Sequence, residues 1–343
     1  MESTAIGFPP VTIAVFVGLC IVALAIDLFS HRKDKPLTLM QASLWSIFWV
    51  AISLAFAGFL YVSHGAETAS LFLTGYALEK VLSVDNLFVF MAIFAWFNVP
   101  DGYRHRVLYW GIIGAIIFRL VFVAIGTSLL AFGPWVEIVF ALVVAWTAVM
   151  MLKGGDSDEE EDYSRHIAYR FARKVLPVWP RLHGHDFFVS RKALSAELRK
   201  PENSHVSSKG LFLATPLFLC LVVVEVSDVM FAFDSVPAVI AVSREPLIVY
   251  SAMMFAILGL RTMYFVLEAL KRYLVHLEKA VVALLFFIAG KLALNATDHL
   301  FHHGYHIDPN TSLFIVLIVL AIGIGASILF PEKEEPAAEA TPE

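Results

Sequence analysis

Apolar runs of about 20 residues alternate with short polar connections along most of the chain, and runs of that length at helical rise match the hydrocarbon core of a bilayer. The pattern predicts nine membrane-spanning helices, over about 11–29, 42–62, 69–97, 107–130, a fifth that follows the turn at Gly133-Pro134 and ends near 152, then 211–242, 247–270, 280–296 and 312–330. The units are a first helix with its linker (1–40), a second helix (41–68), a three-helix unit (69–152), a polar loop (153–209), a second three-helix unit (210–297), an outer connection with the last helix (298–330) and a short acidic tail (331–343) expected to be disordered.

Charge orients these helices. Arg32, Lys33 and Lys35, then Arg104 and Arg106, then six arginines in 153–209, then Lys271, Arg272 and Lys279 fall in alternate connections. The other connections are nearly free of Lys and Arg, with Arg244 the exception. The positive-inside rule then puts the N-terminus outside and the C-terminus in the cytoplasm. The N-terminal run lacks a basic region before it, so it is expected to be a retained helix rather than a cleaved signal.

Within the apolar runs two stretches stand out: 78–90, with Glu79, Asp85 and Asn86, and 224–237, with Glu225, Asp228, Asp234 and Ser235. Each holds an acid, five residues, a second acid and a small polar residue, so Glu79, Asp85 and Asn86 align with Asp228, Asp234 and Ser235. The next run in each half carries a lone arginine, Arg119 or Arg261. With two spans between them, the two stretches run in opposite directions. Segments three to five and six to eight therefore read as an inverted 3+3 repeat, a plan of secondary transporters whose polar site lies where the repeats meet.

Six carboxylates are candidates for the bilayer centre: Asp27, Glu79, Asp85, Glu225, Asp228 and Asp234. Each costs about 2.5–3.5 kcal/mol at the bilayer centre, or roughly 15–20 kcal/mol together if ionised and unpaired. Protonation, pairing with Arg119, Arg261, Lys80 or Lys291, or a bound cation can offset this. The bases are too few for pairing alone, and a divalent cation neutralises two charges at once. At about 100° per residue Glu225 and Asp228 share a face, Asp234 points opposite Glu225, and Asp85 is about 120° from Glu79. One shared site therefore requires discontinuous helices, and Pro237 marks the expected break in the second stretch. The ligands on offer, carboxylates with Ser83, Asn86, Ser235 and carbonyls, suit Mn²⁺, Ca²⁺ or Mg²⁺ rather than zinc or copper.

Composition agrees: 59% of the 343 residues are hydrophobic, 16% are charged and the mean hydropathy is +0.76, which places the chain among multi-pass membrane proteins. The net charge of −5 and the lack of a basic, aromatic-interleaved patch argue against nucleic acid as a partner. Cys20 and Cys220 lie in apolar runs as packing residues.

Residues 76–90 and 225–238 resemble the two signature motifs of the TerC family, particularly its Alx-like branch, and 25–28 and 256–265 resemble further blocks of it. The resemblance covers nearly all of 11–330; the acidic run 156–162 falls outside it. It implies an inner-membrane protein of the wider LysE-like transporter group, linked to manganese export and, by name, to tellurium resistance. Carried onto this chain, the family's acids are Asp27, Glu79, Asp85, Glu225, Asp228 and Asp234, with Asn86 beside them.

The expected function is a secondary exporter of Mn²⁺, with proton exchange as the coupling. No G-x-x-x-x-G-K-[ST] loop is present for ATP use and no His-containing zinc motif for a membrane metalloenzyme, so an enzyme is not expected. The other alternative is a metal-binding scaffold acting through 153–209. Blander roles exist: Arg119 and Arg261 as counter-charges that pair with the acids of an empty site, Asp27 as a solvent-facing residue, the run 156–162 as a solvated loop, and His299, His302, His303 and His306 with Asp298 and Asp308 as an exposed outer loop.

Overall fold

The structure is a computed structural model and describes residues 8–30, 38–154, 167–195, 211–270, 277–301, 304–305 and 307–329. The run 156–162, the tail 331–343, the basic groups Arg32, Lys33, Lys35, Lys271 and Arg272, and His302, His303 and His306 lie outside those residues, as do the side chains of Asp85 and Asp234.

In chain order the helices are α1 (Pro10–Ser30), α2 (Leu39–His64), α3 (Ala66–Trp96), α4 (Asp101–Leu129), α5 (Pro134–Gly154), α6 (Ile167–Val175), α7 (Pro216–Val242), α8 (Pro246–Ile257), α9 (Leu260–Leu270), α10 (Leu277–Phe301) and α11 (Pro309–Leu329). Among the described residues seven of them, α1, α2, α4, α5, α7, α10 and α11, are long and apolar enough to cross a membrane, and the bent pair α8–α9 makes an eighth. The chain is thus an all-α multi-pass membrane protein. The expected ninth span corresponds to α3, whose 31 residues suffice in length but carry Glu67, Glu79, Lys80 and Asp85.

Local chemistry fixes several boundaries. Thr38 caps α2: its hydroxyl accepts from the Gln41 backbone and the Gln41 side chain accepts from the Thr38 backbone, a capping box. At the start of α11, Asp308 accepts from the Thr311 backbone at 3.0 Å and from the Thr311 hydroxyl, and these donors hold its carboxyl below the usual range. Asp298 accepts from the Gly304 backbone at 2.5 Å. Both aspartates therefore serve backbone turns.

Helix α3 is the hub, packing on α2, α7, α8 and α11, while α4 packs on α7 and α5 on α10. Phe72, Leu78, Leu87, Ile93 and Phe94 of α3 are fully buried. The helices α1 and α11 lie at the periphery and expose most of their apolar surface.

The loop between α5 and α7 is partly folded. Strand β1 (Phe188–Ser190) pairs antiparallel with β2 (Phe212–Ala214), and Trp179, Val189, Leu194 and Leu213 bury one another there. Segment six was expected to be helical from 211; residues 212–214 are instead in this strand pair, and the helix starts at Pro216, whose ring suits the first helical turn.

The expected break at Pro237 is corrected: α7 runs unbroken through it. Proline removes one intrahelical donor, a loss a helix tolerates when packed neighbours hold it straight. Here Val236, Ala238, Val239 and Ile240 are all buried. The break lies in the next span, where α8 and α9 meet at 53°. Gly259 there has φ 75°, and a Cβ at this position would fall on the indole of Trp49 in α2.

Candidate functional site

An unbroken α3 puts Glu79, Ser83 and Asn86 at i, i+4 and i+7, on one stripe, and all three are buried. An unbroken α7 puts Asp228 and Ser235 at i and i+7 in the same way, with Glu225 one turn before Asp228. The two stripes are the aligned positions of the two acidic stretches, and α3 packs on α7.

Arg119 of α4 lies between them. Its guanidinium contacts the Glu79 carboxylate through Nη1, and Nη2 lies 3.5 Å from Asp228 Oδ1. All three side chains are buried, so each charge is removed from water and depends on the others. Glu225 reaches α4 as well. A Cβ at Gly114 would overlap its carboxylate, so the absence of a side chain there makes the space that holds this acid. Gly111 and Ala115, four residues apart on α4, form the small-residue spacing that lets membrane helices approach closely.

Three acids, Glu79, Glu225 and Asp228, thus share this region with one guanidinium. Ser83 Oγ, Glu225 Oε2, Asp228 Oδ2 and Ser235 Oγ are buried with no hydrogen-bond partner among the described residues. Buried polar atoms left in that condition are costly and point to a ligand, water or proton that completes them. The donor set is oxygen throughout. No group of three or more His, Cys, Asp or Glu side chains is close enough to hold a metal among the described residues. Asp85 and Asp234 lie on α3 and α7, each six residues beyond its partner acid and so about 120° around the helix.

One expected ligand, Asp27, and two expected counter-charges, Lys80 and Lys291, lie elsewhere. Asp27, expected near a membrane end and open to solvent as the bland alternative, is buried on α1 and faces Arg261: Nη2 donates to the Asp27 carbonyl at 2.5 Å and lies 3.4 Å from its carboxylate. Lys80, one residue past Glu79, points away from the acids. Its ammonium donates to the carbonyls of Ala256 at 3.1 Å and Leu258 at 3.2 Å, which the α8–α9 bend leaves without helical donors. Lys291 donates to Ser312 at 2.9 Å and ties α10 to α11.

Other ionic contacts were not anticipated. At one end of the bundle Arg104 of α4 pairs with Glu268 of α9 and lies 3.1 Å from Asp101. At the other, Glu137 of α5 meets Arg244 at 2.5 Å, and Arg244 lies 3.2 Å from His299. His299 belongs to the last turn of α10 rather than to a loop, because that helix extends beyond the expected 296 to Phe301.

The profile described as the integral membrane protein TerC family matches residues 63–335. A protein of Serratia marcescens named Tellurium resistance protein TerC is 70% identical over 340 residues, 98% of each chain. One of the same name from an Alcaligenes species is 69% identical over the same coverage. A protein of Photorhabdus laumondii, whose name proposes a membrane-bound redox modulator, Alx, is 35% identical over 317 residues, 90% of this chain and 91% of that one. No solved structure matches the chain.

Proposed function

We propose that this chain, which belongs to the TerC family of integral membrane proteins, is an inner-membrane secondary transporter that exports divalent metal cations, Mn²⁺ foremost, in exchange for protons. It crosses the membrane nine times, α3 included, with its N-terminus outside and its C-terminus in the cytoplasm. The units α3–α4–α5 and α7–α8/α9–α10 form an inverted repeat. Their packing supports this: α3 lies on α8 as α4 lies on α7, and α5 lies on α10, the reciprocal contacts that a two-fold relation requires.

The observation that carries the reading is Arg119 between Glu79 and Asp228, corresponding acids of the two units, with a third acid, Glu225, beside them. One guanidinium leaves this buried group short of positive charge, and a proton or a cation supplies the remainder. In the empty state Arg119 is the counter-charge. When a hard cation binds the oxygens of Glu79, Glu225, Asp228, Asn86, Ser83 and Ser235, Arg119 releases its acids. Because carboxylates must lose protons to take a cation, binding and proton release are linked, which gives antiport its chemical basis.

Purified protein in vesicles, loaded with a metal-sensitive dye, tests this. Mn²⁺ flux should be collapsed by Asp228→Asn and be driven by a pH gradient. Undiminished flux in Asp228→Asn, or no flux of Mn²⁺, Ca²⁺ or Mg²⁺ in the unsubstituted protein, would remove the reading. The second reading, a membrane metal-binding scaffold in tellurium or metal stress, is favoured by the name of the Serratia and Alcaligenes relatives, Tellurium resistance protein TerC. It predicts metal binding without flux.

A further inference from the structure

A cavity of about 570 Å³ lies at the end of the bundle where α3 stops and α7 begins. Trp96, Phe97 and Asn98 from the end of α3 and Pro216 from the first turn of α7 line one side, and Tyr169 and Arg173 of α6 line the other. The ends of two helices buried in the bilayer meet here, so the cavity lies at headgroup depth, where Trp and Tyr rings concentrate.

Its chemistry is a wall of rings with one cation. Tyr169 packs edge-on against Trp96 at 5.3 Å and against Phe97 at 5.9 Å. Arg173 donates to the Tyr169 hydroxyl at 3.3 Å and lies 5.6 Å from its ring, which holds the guanidinium at the cavity. Among the described residues no acidic side chain lines it. The positive end of α7 and the negative end of α3 both face the cavity and offset each other, so Arg173 sets the sign. Helix α6 adds Arg170 and Lys174 and has no acid, yet Phe171 in its middle is 66% exposed. A short helix with a basic face and an exposed ring, outside the spans, is built to lie on a bilayer surface.

We propose that this cavity binds the headgroup of an acidic phospholipid, its phosphate on Arg173 and its glycerol backbone against Trp96 and Tyr169. The volume falls within the range of small-molecule sites and leaves room for no macromolecule. The site lies apart from the acids of α3 and α7 and does not depend on the transport reading.

The test uses the full chain in phosphatidylcholine vesicles containing a minor fraction of brominated phosphatidylglycerol or of brominated phosphatidylcholine. Quenching of Trp96 is obtained by difference against Trp96→Phe. Brominated phosphatidylglycerol should be enriched at Trp96 by about fivefold, the factor one basic residue near the membrane surface is worth. Arg173→Gln should abolish that preference, Arg173→Lys should keep part of it, and Lys174→Gln, off the cavity, should leave it intact. Equal quenching by the two lipids overturns the proposal. So does an equal loss in Arg173→Gln and Lys174→Gln, which would mean diffuse surface charge, or displacement by soluble glycerol phosphate, which would mean a free ligand.

Discussion

Arg119 and Arg261 hold comparable places, each a lone arginine in the helix after an acidic stretch, yet their surroundings differ in count. Arg261 at the α8–α9 bend faces one acid, Asp27, and also takes that residue's carbonyl. Arg119 faces two acids from two helices, with Glu225 close by. The first is a closed pair whose charges cancel and whose second bond is to main chain, which no ion can replace. The second is in deficit. Equivalent sequence position therefore does not imply equivalent work, and the number of buried charges on each side decides which arginine locks a structure and which can let go.

The largest effect separates them by rescue. Arg119→Met and Arg261→Met should each cost about 3–5 kcal/mol, because each leaves buried carboxylate unpaired. Adding Asp27→Asn to Arg261→Met should recover most of that stability, whereas adding Glu79→Gln to Arg119→Met leaves Asp228 exposed to Glu225 and should recover much less. Unfolding in detergent reads both, and equal recovery would erase the distinction. Flux sharpens it: Glu79→Gln should reduce Mn²⁺ transport to background, while the double change Asp27→Asn with Arg261→Met should transport.

A smaller effect belongs to Gly114. Alanine there pushes against the Glu225 carboxylate and should cost about 1–3 kcal/mol. Gly111→Ala, where the nearest atom to a new Cβ is Val224 Cγ1 at 3.4 Å, should cost less and keep transport. Matching losses in the two would show that Glu225 does not need its groove. Smallest is Lys80→Met, which leaves the Ala256 and Leu258 carbonyls without their donor for about 1–3 kcal/mol and should spare metal binding measured by calorimetry.

Much of this was readable from residues. Hydropathy located every long helix, and the recurrence of Glu79 and Asp228 marked the positions that Arg119 brings together. The role of Arg119 as counter-charge was also legible, from a shortage of bases. Other features depend on contacts distant in sequence. Pro237 suggested a break that packing prevents, while the break at Gly259 needs Trp49 of α2 to explain it. The strand at 212–214 has its partner at 188–190. Asp27 counts among the intramembrane acids in the sequence, but its pairing with Arg261, in a helix far along the chain, shows only in the structure. Gly114 gives no signal in the sequence, because the acid it accommodates is on another helix.

The kink at Gly259 also has a mechanical side. A straight rod carries a push from one leaflet to the other, whereas two short rods on a pivot do not. Here the pivot admits no substituent for two independent reasons, a left-handed backbone and an indole pressed against it. Lys80 clasps the stub of one rod and Thr262 takes the Gly259 carbonyl on the other at 2.8 Å. A rotation of α8 alone would then pull on α3 through that clasp, next to Glu79, and leave α9 and its arginine where they are.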